Sequence, residues 1–134
     1  MEQPAGNKIT DNPSSHPALS VKWVEDFPDI PLNRNEAYKL RVTSKGVEIE
    51  AITETGVYRA IQTLRQLTEK KGNGIAITGC EITDWPAFRI RGFMQDVGRT
   101  YISTDELKRE IAILARYKIN VFHWHLTENQ AWRL

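Results

Sequence analysis

The sequence ITDWPAFRIRGFMQDVGRTYISTDELKREIAILARYKINVFHWHLTENQAWRL, residues 82–134, decides how this chain folds. Its apolar pattern predicts one strand over residues 90–97 and a second over residues 121–126. Between them, residues 103–106 read STDE, the form of a capping box in which a serine caps a helix and a glutamate reaches back to it. A strand, a helix and a strand in such close succession predict a parallel, right-handed β-α-β unit.

The residues before this unit predict a small α+β domain over residues 19–84. Two runs of alternating apolar and polar residues, 38–43 and 46–51, flank a short turn and predict a β-hairpin with one solvent-facing side. Apolar residues at helical spacing over residues 55–67 predict an amphipathic helix that covers the sheet and is stopped by Lys70, Lys71 and Gly72. Shorter strands that complete the same sheet are predicted at residues 19–23, 75–77 and 81–83.

Changes in composition mark the boundaries of these parts. Residues 1–18 are rich in Pro, Ser, Asn and Gly, which predicts a flexible arm. Trp85-Pro86 interrupts the pattern, because proline biases the residue before it away from a helix. We therefore expect an arm at 1–18, an α+β domain at 19–84, and a separate β-α-β unit at 85–134.

The bulk composition excludes several classes of protein. The 134 residues are 40% apolar, and 18 basic residues against 17 acidic ones leave a net charge of +1, so nothing indicates a nucleic-acid partner. A single cysteine, Cys80, rules out a disulfide within the chain. No apolar window approaches the roughly 18 residues of a membrane span, and the N-terminus has no signal core.

Polar side chains gather around the second predicted strand. His123 and His125 lie two residues apart in it, so both imidazoles point to one face. They could begin a metal site, but spacing provides no third ligand, and we predict hydrogen bonding instead of a metal. After the strand come Thr127, Glu128, Asn129 and Gln130. Near Trp124 and Trp132 these groups suit a sugar, although an ordinary polar loop would look the same.

Arg91 is the other polar residue that the pattern singles out. It stands beside Gly92 in an apolar stretch, and a buried arginine needs a partner or a ligand. A salt bridge to Asp96 or to another acidic residue of the core is the structural alternative. Asp96 and Arg99, three residues apart, are themselves predicted to pair in a loop.

The chain resembles the family-20 glycoside hydrolases, the β-N-acetylhexosaminidases. The matching pattern is IxDxPxFxxRGxMxDVxR over residues 82–99 and YKxNVFHWHLT over residues 117–127, followed by Gln130, Trp132 and Arg133. Upstream, Gly56 and the sequence QTLRQL at 62–67 resemble the helix of that family's small α+β domain. The resemblance covers about 100 of the 134 residues.

The resemblance implies an α+β fold: a small sheet with a covering helix, followed by the first β-α-β unit of an incomplete TIM barrel. It implies a retaining, substrate-assisted hydrolysis of terminal N-acetylhexosamine residues, in which the sugar's own 2-acetamido oxygen is the nucleophile. The substrate-binding residues it implies are Arg91, Glu128 and Asn129. Glu128-Asn129 is a departure, because the family commonly has Asp-Asp there.

The family's catalytic Asp–Glu pair lies on a later barrel strand, and no stretch of this chain matches it. We therefore predict no catalytic residue, metal or cofactor here, and no hydrolysis by this chain alone. The alternative is a non-catalytic module that binds glycans or another protein. Exposed barrel strands predict either disorder after about residue 88 or self-association as a homodimer. The resemblance suggests a periplasmic or secreted location for a full-length protein.

Overall fold

The computed structural model of the protein describes residues 8–10, 18–129 and 131–132. The chain divides into two compact units, residues 1–87 and 88–134. The first contains β1 (Lys8–Thr10), β2 (Ala18–Trp23), a 3₁₀ helix (Arg34–Glu36), β3 (Tyr38–Thr43), β4 (Gly46–Ala51), α1 (Glu54–Gln66), β5 (Thr68–Lys71), β6 (Gly74–Thr78) and β7 (Cys80–Asp84). The second contains β8 (Gly92–Asp96), α2 (Thr104–Arg116), β9 (Val121–His125), β10 (Thr127–Glu128) and β11 (Ala131–Trp132).

The main sheet of the first unit has the strand order β2-β4-β3-β7, with β2 parallel to β4 and the other pairs antiparallel. Alternate residues of β3 and β4 point to one face and form the core, which consists of Tyr38, Leu40, Val42, Val47, Ile49 and, from α1, Ala60. Helix α1 lies on this face, with Val57, Ile61 and Leu64 packed against the core. The predicted hairpin and its covering helix are confirmed.

The opposite face of this sheet carries charges of alternating sign. Lys22 Nζ lies 2.6 Å from Glu50 Oε1 on the neighbouring strand, and Arg41 Nη2 lies 2.6 Å from Glu81 Oε1. Arg41 also lies 3.9 Å from Glu48. At least one partner of each pair is exposed to water, so each pair adds little stability. They keep this face of the sheet in water, as the alternating sequence predicts.

Two parts of the first unit differ from the sequence-based expectation. Residues 75–77 do not join the main sheet, because β6 belongs to a separate three-stranded sheet of order β1-β6-β5. Its β5–β6 hairpin follows α1 directly and turns at Gly72, whose φ of 60° favours glycine. The helix ends at Gln66, one residue before the predicted end, and the lysines that were predicted to stop it lie in β5. Most of the predicted arm lies outside the described residues, but its residues 8–10 form β1.

The second unit is the predicted parallel β-α-β arrangement, which is confirmed. β8 and β9 pair in parallel, with Gly92 opposite Val121 and Asp96 opposite His125. Between them, α2 begins with the predicted capping box: Ser103 Oγ accepts a hydrogen bond from the Glu106 amide, and Ser103 N donates to Glu106 Oε2 at 3.1 Å. Of the apolar residues of α2, Leu107 is buried and Ile111 is exposed.

Neither of the two α-helices in the described ranges is long and apolar enough to cross a membrane. Each spans 13 residues.

We expect Gly56→Ala to destabilise the first unit, although replacing a helical glycine by alanine usually stabilises a protein by up to about 1 kcal/mol. A Cβ at Gly56 would lie 2.5 Å from the backbone oxygen of Ala37 and 3.1 Å from the Ala51 Cβ, so α1 would have to shift. We expect a loss of about 1–3 kcal/mol in urea denaturation, the usual cost of overpacking. Thr55→Ala, at the exposed neighbouring position, is the matched control. A stabilised Gly56→Ala protein would contradict this packing.

Candidate functional site

The candidate site lies where the two parallel strands of the second unit end. Asp96 is the last residue of β8 and His125 the last residue of β9, and the two are partners in the strand register. Just beyond, the Val97 amide donates to the His125 carbonyl oxygen at 3.0 Å and holds the strand ends together. The carboxyl ends of parallel strands are where α/β proteins place their ligand sites.

Asp96 holds Arg99 in a fixed position. The Arg99 backbone amide donates to Asp96 Oδ1 at 3.1 Å, and the Arg99 side-chain Nε donates to Asp96 Oδ2. These hydrogen bonds lower the pKa of Asp96, and the carboxylate in turn raises the pKa of Arg99. The predicted pairing is confirmed. Because the Arg99 side chain is 59% exposed, its guanidinium can still reach a ligand.

His125 lies between two carboxylates. Its Nδ1 is 3.6 Å from Asp96 Oδ2, and its Nε2 is 3.8 Å from Glu128 Oε1. The side chains of all three residues are less than a third exposed, so water screens the two carboxylates only in part. The cluster therefore joins residues from two strands and from the segment that follows β9.

Gly98 allows the two segments beyond these strands to approach each other closely. It is buried, and a Cβ at this position would lie 3.1 Å from both the Cβ and the backbone nitrogen of Glu128. A side chain here would push against the backbone that carries Glu128. The small residue thus helps to set the spacing between the Asp96–Arg99 pair and Glu128.

The donor set of this cluster does not favour a metal ion, although the candidate ligand atoms of Asp96, His125 and Glu128 lie within 4.8 Å of one another. The two carboxylates face opposite nitrogens of the same imidazole, and one ion cannot use both nitrogens. Arg99, which is already bonded to Asp96, adds a positive charge beside the position that an ion would take. The neighbouring His123, whose ring centre is 6.1 Å from that of His125, does not belong to the group.

The structure does not bring Arg91 together with Glu128 and Asn129. Arg91 immediately precedes β8, at the opposite end of the strands. Its Nε donates to the carbonyl oxygen of Lys118 at 2.8 Å and its Nη1 to that of Phe88 at 2.6 Å. It does not form the predicted alternative, a salt bridge to Asp96, among the ion pairs of the described residues. At the amino ends of barrel strands, contacts of this kind stabilise the fold, whereas ligand sites lie at the carboxyl ends.

Glu128 and Asn129 lie at the carboxyl ends of the strands, as predicted. Glu128 belongs to a short hairpin in which β10 pairs with β11, with Glu128 opposite Ala131. Asn129 is in the turn, where its amide and carbonyl groups are exposed. Trp132 on β11 is 71% exposed, which leaves an indole surface near this edge.

Sequence reasoning noted His125 as a hydrogen-bonding residue and Arg99 as the partner of Asp96, but it placed neither of them in the sugar-binding site. The available signal was positional. Asp96 lies one residue before the end of the predicted strand 90–97, and His125 lies one residue before the end of the predicted strand 121–126, so the residues that follow both belong to the same edge. Together, Arg99, Glu128 and Asn129 offer a guanidinium, a carboxylate and an amide. These groups can donate hydrogen bonds to hydroxyls and accept hydrogen bonds from them.

Comparisons with known proteins match both units of the chain to the same family. Residues 3–85 match the model of glycosyl hydrolase family 20, domain 2, and residues 88–134 match that of the glycosyl hydrolase family 20 catalytic domain. A β-hexosaminidase of Porphyromonas gingivalis is 43% identical over 140 aligned positions, which cover 99% of this chain and 16% of the relative. A β-N-acetylhexosaminidase of Cellulomonas fimi is 40% identical, over 87% of this chain and 24% of its own length.

Solved structures give the same result. The exo-β-N-acetylglucosaminidase of Vibrio harveyi, solved in complex with N-acetylglucosamine, superposes with a TM-score of 0.75 at 38% identity. The match covers 86% of this chain and 17% of that one. The β-N-acetylhexosaminidase of Bacteroides fragilis gives a TM-score of 0.74 at 35% identity, over 92% and 23% of the two chains. The chain thus spans about a quarter or less of these relatives.

We expect Asp96→Asn to lower the stability of the second unit at pH 7 and to have little effect in acid. The folded-state pKa of Asp96 is depressed, so its contribution is present above the ordinary aspartate pKa of about 3.9 and is lost as the pH falls through the lower folded value. Urea denaturation at pH 7 and at about pH 2.5 would measure the difference. Arg99→Gln should reduce this pH dependence without removing it, because it deletes the guanidinium but keeps the backbone amide that donates to Asp96 Oδ1. An equal effect of Asp96→Asn at both pH values would contradict the pairing.

Proposed function

The chain belongs to glycosyl hydrolase family 20, and from this premise we propose that it supplies part of the sugar-binding site of a β-N-acetylhexosaminidase. The observation that carries the proposal is the cluster of Arg99, Asp96, His125 and Glu128 at the carboxyl ends of β8 and β9. The proposed ligand is the terminal, non-reducing N-acetylhexosamine of a glycan.

The proposed contacts follow from the polarity of each group. Arg99 is anchored through Nε to Asp96 and has an exposed guanidinium, which suits two neighbouring hydroxyls because it presents paired N–H donors. Glu128 can accept a hydrogen bond from a hydroxyl, and the exposed Asn129 can donate or accept one. The exposed Trp132 offers an apolar surface to a pyranose ring.

We assign the sugar-facing arginine to Arg99 and not to Arg91, which the sequence had suggested. Two observations support this choice. Arg91 donates to two backbone carbonyl oxygens at the amino end of the strands, while Arg99 lies beside Glu128 at the carboxyl end. Arg91 then serves to join the segment before β8 to the segment before β9.

We propose the retaining, substrate-assisted reaction for the whole enzyme, with the acetamido group of the sugar as nucleophile. No residue of this chain is assigned as the general acid. The sugar-facing residues of the second unit would hold the terminal ring in place while groups elsewhere in a longer protein do the chemistry. For the 134-residue chain by itself, the proposed activity is binding without cleavage, which keeps a glycan-binding module as the second candidate.

We expect the 134-residue chain to bind N-acetylglucosamine weakly and to release no p-nitrophenol from p-nitrophenyl N-acetyl-β-glucosaminide. Arg99→Ala should weaken binding roughly 10- to 150-fold, since a hydrogen bond to a charged group contributes about 1.5–3 kcal/mol. Arg91→Ala is the matched control. NMR titration with the sugar would provide both affinities.

Two results would overturn the assignment. One is binding that survives Arg99→Ala but is lost in a folded Arg91→Ala variant. The other is turnover of the aryl glycoside by the purified chain.

We also propose that the isolated chain self-associates through the second unit, as a symmetric dimer. In the described part of the chain, β8 pairs with β9 alone, and Met94, Val121 and Trp124 are each more than 40% exposed. Strands with unpaired edges and apolar side chains recruit further strands.

We expect sedimentation velocity at micromolar concentration to show a dimer. Met94→Lys, which places a charge on the β8 strand, should shift the chain toward monomer without unfolding it. Ile75→Lys, an equally exposed position in the first unit, is the control and should leave the dimer intact. A monomer at all concentrations up to about 100 µM would rule out the dimer, since it would require a dissociation free energy below roughly 5.5 kcal/mol.

A further inference from the structure

We infer that His125 is a positioning residue that couples Glu128 to the Asp96–Arg99 pair. The inference rests on the proposed function, because it gives Arg99 and Glu128 a joint task in holding one sugar. His125 itself need not touch the ligand. It acts through the two carboxylates between which its ring lies.

The geometry provides a continuous path across the two strands. Arg99 is bonded to Asp96, Asp96 Oδ2 lies 3.6 Å from His125 Nδ1, and His125 Nε2 lies 3.8 Å from Glu128 Oε1. Each ring nitrogen thus faces a different carboxylate. The backbone cannot easily relax around this path, because the Val97 amide bonds the His125 carbonyl oxygen.

The chemistry of imidazole makes this arrangement a coupling device. A ring with protons on both nitrogens is a cation that attracts both carboxylates at these ion-pair distances, whereas a ring with one proton is neutral and presents an N–H to only one of them. The charged and titratable groups around the ring are Asp96 on β8, Arg99 after it, Glu128 on β10 and His123 on β9 itself. A ligand that binds Glu128 therefore changes how strongly the ring interacts with each carboxylate. It thereby changes how firmly Asp96 holds Arg99 in place.

His123 provides a matched comparison within the same strand. It lies two residues before His125, on the same face, and its register partner is Met94, which cannot ionise. His123 is exposed, and no ion pair joins it to a carboxylate among the described residues. The two histidines are therefore alike in type and direction but differ in the neighbours that the inference requires.

The test is a carboxylate NMR titration of the 134-residue chain. The ¹³C signals of Asp96 and Glu128 and the ring signals of His125 are followed against pH in the wild type, His125→Gln and His123→Gln. We expect both carboxylate signals of the wild type to show a second inflection at the midpoint of the His125 ring. His125→Gln should remove it from both, and His123→Gln should leave it in place. Urea denaturation of each variant separates this effect from lost folding.

A second measurement connects the coupling to the ligand. We expect His125→Gln to weaken N-acetylglucosamine binding roughly two- to tenfold, less than Arg99→Ala does, with a non-additive effect when combined with Glu128→Gln. His123→Gln should leave the affinity unchanged. A smaller change in a double variant than the sum of the single changes is the signature of groups that act through one another.

The outcomes distinguish the inference from the proposed function. The inference is overturned if the wild-type carboxylate signals show no inflection at the midpoint of the His125 ring. This readout does not depend on whether His125→Gln folds. If sugar still shifts the Arg99 signals in that case, the proposed function stands. If the carboxylates follow the ring but no sugar binds, both the proposed function and the positioning role fail. Coupled carboxylates together with weakened, non-additive binding establish the positioning role.

Discussion

The parallel pairing of β8 with β9 in one register is the constraint on which the candidate site depends. Because Asp96 and His125 are partners in that register, their side chains emerge on the same face at the same height. Arg99 follows Asp96 in the chain and Glu128 follows His125, so both are brought to this edge. A shift by one residue would turn every side chain of β9 to the other face and would separate the cluster.

Local sequence signals predicted most of the fold. The β3–β4 hairpin could be predicted because its residues alternate strictly, and α2 because Ser103 and Glu106 form a capping box. The position of β6 could not be predicted. The apolar alternation around Ile75 and Ile77 indicates a strand but does not indicate with which strand it pairs. In the structure its partners are β1 and β5, and β5 contains the lysines that the sequence had suggested as the stop of α1.

The candidate site was only partly predictable, for a related reason. Glu128 and Asn129 follow a strand, so their place at its carboxyl end could be derived. Arg91 was selected because an arginine in an apolar stretch is unusual, but this criterion does not say at which end of the strand the guanidinium lies. Its Nε bonds to the Lys118 carbonyl oxygen and directs the side chain to the amino end. Arg99 was overlooked because its pairing with Asp96 was read as purely structural, whereas an anchored guanidinium can also bind a ligand.

The order of strands in the main sheet has a consequence for how the first unit folds. β3 and β4 are joined by only two residues, Ser44 and Lys45, whereas β2 and β7 reach their partners from much farther along the chain. Closing a short loop costs less entropy than closing a long one, so the topology favours early formation of this hairpin. On a ribosome, it would be complete before β7 had been synthesised. The edge of β3 would then stay unpaired until β7 was added, and its apolar face would stay exposed until α1 packed on it. That interval, more than the finished fold, is when this unit is most exposed to misassociation.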